Sequence, residues 1–128
     1  MEKLFVLRPE ALELKKLGFN EECFALFIRT GPLLMKPMPN QEECEQYFGG
    51  FLAPIYAQAF AFFREKHGLH GNPLPHSYEI LDNQNEYVEW GCINEEYPMD
   101  SYEIAELACL RKLIEIVKQR NDGKTILP

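Results

Sequence analysis

Three histidines, His67, His70 and His76, share the run His-Gly-Leu-His-Gly-Asn-Pro-Leu-Pro-His. Imidazoles so spaced can converge on one divalent metal, with Glu65 or Glu79 completing the shell of a small metal-dependent hydrolase. The plainer reading is a set of surface side chains. His67 stands where a helix is expected to end, and there the helix dipole favours a cation without any ligand. The other two lie in a stretch broken by glycine and proline.

Acid–base chemistry has its own candidates. Glu86, Glu89, Glu95 and Glu96 gather around one expected strand, and Glu89 stands beside Trp90. Apolar contact raises a carboxyl pKa, as a general acid requires, so Glu86 and Glu89 are the pair an acid–base hydrolase would use. Glutamates on the outer face of a hairpin more often serve solubility, and no glycine-rich phosphate loop, histidine or arginine completes a catalytic set. The cysteines, Cys23, Cys44, Cys92 and Cys109, never form a CxxC pair. That spacing is neither a zinc knuckle nor a dense disulfide framework. Cys23 opens an apolar run, Cys109 lies mid-helix, and Cys44 stands among Glu42, Glu43 and Glu45. None has the helix N-terminus or neighbouring cation that activates a thiol. No catalytic residue is assigned, and no cofactor is implied.

What remains is recognition. Tyr56, Phe60, Phe62 and Phe63 cover more than one face of an expected helix, and a small domain rarely buries every face. Tyr78, Tyr87, Trp90 and Tyr97 form a second aromatic group on an expected hairpin. Trp and Tyr are enriched at binding hot spots, although they are also good strand residues. Tyr56, Phe60, Tyr87 and Trp90 are therefore the expected partner-binding residues, with residues 31–50 as a second contact. A free hairpin edge would also let two copies pair across a two-fold.

The elements that must position these groups follow from local pattern. Residues 5–7 form a short strand or an N-terminal arm. Pro9 sits at the first position of a helix that Gly18 ends. The continuous apolar run 23–28 reads as a strand covered on both faces. Residues 31–50, with Pro32, Pro37, Pro39, Gly49 and Gly50, are the least regular part, holding one helical turn over 41–47 that Asn40 caps. A helix follows between Pro54 and Gly68. Residues 71–75 are a breaker. Strands over 76–81 and 86–93 flank the turn Asp82-Asn83-Gln84-Asn85. The last helix opens at Asp100, with Glu103 in capping-box position, and Asn121-Asp122-Gly123 closes it. The order is that of an α+β fold, with two long helices and a short N-terminal helix on a small antiparallel sheet.

Length and charge set the outer bounds. A chain of 128 residues has room for one domain, residues 1–128, and can bury about two-thirds of its unfolded surface. Thirteen Lys and Arg against twenty Asp and Glu leave a net charge of −7. The positives are scattered, so no basic block is available to neutralise phosphates and direct nucleic-acid binding is not expected. Acidic mimicry of a nucleic acid is compatible with the charge, provided the carboxylates are regularly spaced on one face. The apolar run near the N-terminus is too short for a signal peptide, and no segment has the length to cross a bilayer. With its sparse cysteines, the chain is expected in a reducing, cytoplasmic compartment.

Three blocks stand out together: LGFNEECFA at 17–25, LAPIYAQAFAFFREKHGL at 52–69 and SYEIAELACLRKLIE at 101–115. In these the chain resembles a group of small proteins of gut Bacteroidetes found in phage and mobile-element gene sets, a group with no established activity. The resemblance runs in order over nearly the whole chain. The second block keeps the group's pattern, with the aromatic Tyr56 one position later than its usual site. It implies a phage or mobile-element accessory protein and supplies no catalytic residue. The expectation is a non-enzymatic protein that binds other proteins, itself included as a homodimer, through aromatic surfaces. The alternatives are the small hydrolase and the acidic mimic.

Overall fold

The structure, a computed structural model, describes residues 2–92 and 101–126. The fold is α+β, with helices and two antiparallel sheets of three strands each. Contacts divide the chain into two compact units, one reaching to Ala59 and the other beginning at Phe60.

The first unit begins with a single turn, Glu2–Leu4, and helix α1, Arg8–Lys16, which has Pro9 in its first turn. Strand β1, Ala25–Phe27, is buried at all three positions, as its unbroken apolar character requires. It is the central strand, pairing on one side with β2, Leu33–Leu34, and on the other with β3, Phe51–Ala53. Helix α2, Gln41–Phe48, lies between β2 and β3 in sequence. Its cap is Asn40, whose Oδ1 accepts from the Glu43 amide at 2.8 Å. Residues 31–50 thus hold a strand and a full helix, more structure than their proline content led us to expect. They are anchored by the Cys23–Met38 bridge, in which each amide N–H donates to the other residue's carbonyl at 2.9 Å.

Two side chains organise this unit. Arg8 donates from Nη1 to the carbonyls of Ile28 and Gly31, each at 2.8 Å, and from Nη2 to the carbonyl of Arg29. Its guanidinium also lies 5.8 Å from the Phe27 ring centre and 5.1 Å from that of Phe51. One cation therefore holds the turn after β1 and faces the rings of two paired strands. Gln41 completes the backbone bonding of β3: its Nε2 donates to the Gly50 carbonyl and its Oε1 accepts from the Leu52 amide, both at 3.0 Å. A side-chain amide has the donor and acceptor of a peptide group and substitutes for a missing strand here.

In the second unit the remainder of α3, Tyr56–His67, ends at Gly68, whose φ of +65° is the left-handed conformation that closes a helix. Arg120 adds a bond from Nη1 to the His67 carbonyl at 3.4 Å. The stretch expected as a breaker is instead a strand, β4, His70–Pro73. It pairs with β5, Ser77–Leu81, which pairs with β6, Tyr87–Cys92. Proline is tolerated because β4 is an edge strand and Pro73 stands at its end. The hairpin turn is built as its composition requires. Asp82 Oδ1 accepts from the amides of Gln84 and Glu86, and Asn85 takes a φ of +61°.

Helix α4, Ser101–Ile126, packs on β4 and β5. Ala105, Cys109, Leu110, Leu113, Ile114 and Val117 form its buried stripe, at the spacing of one helical face. The helix continues past Asn121-Asp122-Gly123 to Ile126, so that run does not close it. A glycine lowers helix propensity by only about 1 kcal/mol, and the helix runs on through Gly123. The expected cap at Asp100 lies outside the described residues, as do Glu95, Glu96 and Tyr97.

Gly50 marks the tightest point of the first unit. A Cβ there would fall inside the contact radius of the Phe27 carbonyl oxygen, with the carbonyl carbon 2.9 Å away. Gly50→Ala is expected to cost about 3 kcal/mol, as overpacking against backbone that cannot rotate away, read as a lowered urea midpoint. A midpoint equal to that of the unmodified chain would show that β3 can shift away from β1.

Candidate functional site

Strand register sorts the side chains of the β4–β5–β6 sheet onto two faces. Partners across the ladder share a face, and residues two apart along a strand share it too. Gly71, Ile80 and Glu89 are aligned, as are Pro73, Tyr78 and Gly91. This is the helix-facing side: Ile80 is fully buried, and a Cβ on Gly71 would lie 2.9 Å from Leu113 Cδ1 and 3.0 Å from Cys109 Sγ. The other face carries His70, Asn72, Ser77, Glu79, Leu81 and Trp90.

Tyr87 belongs to that outer face only because the strand is irregular. In a regular strand, residues 87 and 90 would point to opposite sides. Here the register shifts between Ile80, opposite Glu89, and Leu81, opposite Tyr87. Val88 is the extra residue of a β-bulge, and the bulge turns Tyr87 onto the face of Leu81, Glu79 and Trp90. Tyr87 is 70% exposed and Trp90 62% exposed.

Between them lies an open depression of about 480 Å³, lined by Leu74, Ser77, Tyr78, Glu79, Tyr87 and Trp90. Leu74 is positioned by its amide, which donates to the Ser77 carbonyl at 2.7 Å across the β4–β5 turn. Tyr78 lines the depression although register assigns it to the helix-facing side, where its ring lies across Gly91. Burial in that position pushes the Tyr78 phenol up, Lys112 opposing. Glu79 supplies the one carboxylate of the lining, and Asn72 Nδ2 donates to its Oε1 at 3.4 Å.

Of the expected partner-binding residues, Tyr87 and Trp90 thus share one surface. Tyr56 does not present one: it is 9% exposed. Phe60 is half-buried, with Cδ1 3.1 Å from where a Gly71 Cβ would lie. The aromatic helix accordingly spends Phe62 and Phe63 on the core, where both rings also meet the His67 ring. Leu74, Ser77 and Glu79 were not expected. For Ser77 and Glu79 the signal in the sequence was the alternation of 77–81, but deciding which half of it faces outward required the helix on the other side.

The hydrolase candidates do not converge. His67 packs against Phe62 and Phe63, the His70 Nε2 is bonded to Asn83 Oδ1 at 2.9 Å, and His76 is exposed in the β4–β5 turn. Among the described residues, no three His, Cys, Asp or Glu side chains are placed to hold a metal ion. Glu89 points to the helix side, where its carboxylate pairs with Lys112 Nζ at 3.7 Å. The strand pleat sends neighbours to opposite faces, so Trp90 does not cover it. Glu86 is exposed at the hairpin turn, and neither glutamate lines the depression. Glu13 and Glu45 are likewise tied to Lys16 and Lys15.

Burial favours the protonated form of the three described thiols. Cys23, Cys44 and Cys109 are buried and free. Burial, reinforced by Glu21, pushes the Cys23 thiol up to about 12. Burial raises Cys109 to about 12 as well, against a hydrogen bond with the Asn72 backbone that lowers it. Cys44 is raised by burial and by Glu45. Among the described residues, no helix is long and apolar enough to cross a membrane. Comparison of the chain with family models, curated proteins and solved structures finds no match.

Two outcomes follow from this geometry. A buried thiol with a raised pKa keeps its proton after the unfolded chain has released its own. The stability linked to Cys23 and Cys109 is therefore full below the ordinary thiol value of 9.0 and is lost as pH rises toward about 12. The urea midpoint is expected to decline from pH 9 upward, and in a Cys92→Ser background a disulfide reagent at pH 8 should leave the native thiols unmodified. Prompt modification would place a thiol at the surface. Separately, Tyr87→Ala and Trp90→Ala are expected to change stability by no more than about 0.5 kcal/mol each. A collapse of the thermal transition in either variant would assign that ring to the core.

Proposed function

We propose that this protein is a non-enzymatic binding module whose working surface is the outer face of the β4–β5–β6 sheet. The observation that carries the reading is the bulge at Val88, which turns Tyr87 onto the face of Trp90 beside an open depression. Leaving two large rings in water forgoes the apolar burial each could contribute to folding, about 1.5–3 kcal/mol for a side chain of this size. A strand irregularity that places both on one side is what a recognition surface requires. The partner is a protein segment. The accessory role in a phage or mobile element is part of the proposal and rests on the three sequence blocks.

Self-association is the second reading, favoured by the position of β6 at the edge of its sheet. Pairing of two β6 edges would extend the sheet across a two-fold. The net charge of −7 on each copy opposes it, so a foreign segment is preferred.

A peptide library displayed on phage and selected on the immobilised protein tests the proposal. Enrichment of sequences that bind the unmodified chain and fail to bind a folded Tyr87→Ala/Trp90→Ala variant is expected. No enrichment, or enrichment that survives both substitutions, would overturn it. A dimer mass for the unmodified chain and a monomer mass for the variant would move the assignment to self-association.

A further inference from the structure

We infer that the depression between Tyr87 and Trp90 receives an arginine side chain of the partner, with Glu79 as its counter-ion; this rests on the binding face proposed above. The chemistry of the lining is the basis. Two exposed aromatic rings offer negative π faces, and the lining holds a single carboxylate and no cation. A cation is attracted to the face of Trp or Tyr, and more when a carboxylate completes its hydrogen bonding. An apolar side chain would fill the same depression but would leave the Glu79 carboxylate facing it, at a desolvation cost.

Shape selects among cations. A quaternary or methylated ammonium is held by a closed cage of rings, whereas this depression, lined by Tyr78, Tyr87 and Trp90, is open. A guanidinium is planar, stacks flat on an exposed ring and presents a row of donors at its edge. It can lie on the indole or phenol while bonding Glu79. The first unit of this protein contains an arginine in a related setting: Arg8 sits over Phe27 and Phe51 and spends its donors on carbonyls. There the arginine is the chain's own. On the outer face of the second unit the rings and the acid are present, and none of the lining residues is basic. The overall charge of −7 further favours a basic segment during encounter.

Trp90 is the sole tryptophan of the chain, so its fluorescence reports this surface alone. The probe is a capped pentapeptide, Gly-Gly-Arg-Gly-Gly, titrated in low salt beside its citrulline analogue, which keeps the shape and loses the charge. A saturable change in Trp90 emission is expected with the arginine peptide, and at least about tenfold weaker binding with citrulline or in Glu79→Gln, since hydrogen bonds to charged groups contribute about 1.5–3 kcal/mol. Tyr87→Ala should weaken it severalfold. Glu86→Gln removes the same charge outside the depression and should leave binding unchanged. Equal binding of the citrulline peptide, or equal losses in Glu79→Gln and Glu86→Gln, would overturn the arginine assignment. So would library peptides that depend on Tyr87 and Trp90 yet contain no arginine, and in that case the binding face itself would stand. If neither the probe nor any selected peptide engages Trp90, both the face and its occupant fall.

Discussion

The approach of α4 to β4 at Gly71 is the constraint on which the second unit depends. Leu113, Cys109 and Phe60 all lie within 2.9–3.1 Å of where a side chain on Gly71 would begin. A strand and a helix this close leave no alternative register, because a slip of one residue would drive the side chain of His70 or Asn72 into the helix. With register settled, Ile80 must be buried and Glu79 must face outward. The ion pair of Glu89 with Lys112 falls on the same helix-facing side and follows from the same alignment. The outer face is then whatever the packing did not use. It carries His70, Asn72, Ser77, Glu79, Leu81, Tyr87 and Trp90.

The first unit is held by a different device. Its strands are only two or three residues long, and so short a sheet supplies few ladder bonds. Side chains make up the difference. Arg8 binds three carbonyls around the turn after β1, and Gln41 bonds the edge of β3 as a strand would. Gln58 does similar work, accepting from the Ile55 amide at 3.1 Å and donating to the Glu22 carbonyl at 2.7 Å. Polar residues that look like surface groups in the sequence therefore hold the backbone here, and the buried apolar residues, from Leu14 to Leu52, fill the space they enclose.

These two arrangements bear on chemistry in opposite ways. Every thiol described is buried in packing that favours its protonated form, and the histidines are spent on a ring cluster, an asparagine and a turn. Among the described residues, the expected histidines do not meet. The groups that could recognise, by contrast, are collected on one face. Recognition is thus the reading proposed for this face, with a cationic side chain as its proposed occupant.

From the sequence alone came the α+β class, the two long helices, the Pro54 and Gly68 that bracket α3, the Asn40 cap and the hairpin turn. Each is a local matter: helix ends, turns and apolar periodicity are decided within a few residues. The sequence also singled out Tyr87 and Trp90 by type. It missed β2, β3 and β4, because Leu33–Leu34 and Phe51–Ala53 are too short to show a period and His70–Pro73 carries the residues of a loop. All three are strands because a neighbouring strand bonds them, an energy that no local pattern displays. It also included Tyr56 among the exposed rings, since helical spacing does not say which face another element covers. The site itself was decided by tertiary structure. Only the packing of α4 on one side of the sheet makes the other side outer, and only the extra residue at Val88 brings Tyr87 to it. A one-residue offset reverses the face of a strand side chain, and that offset is a property of two strands together.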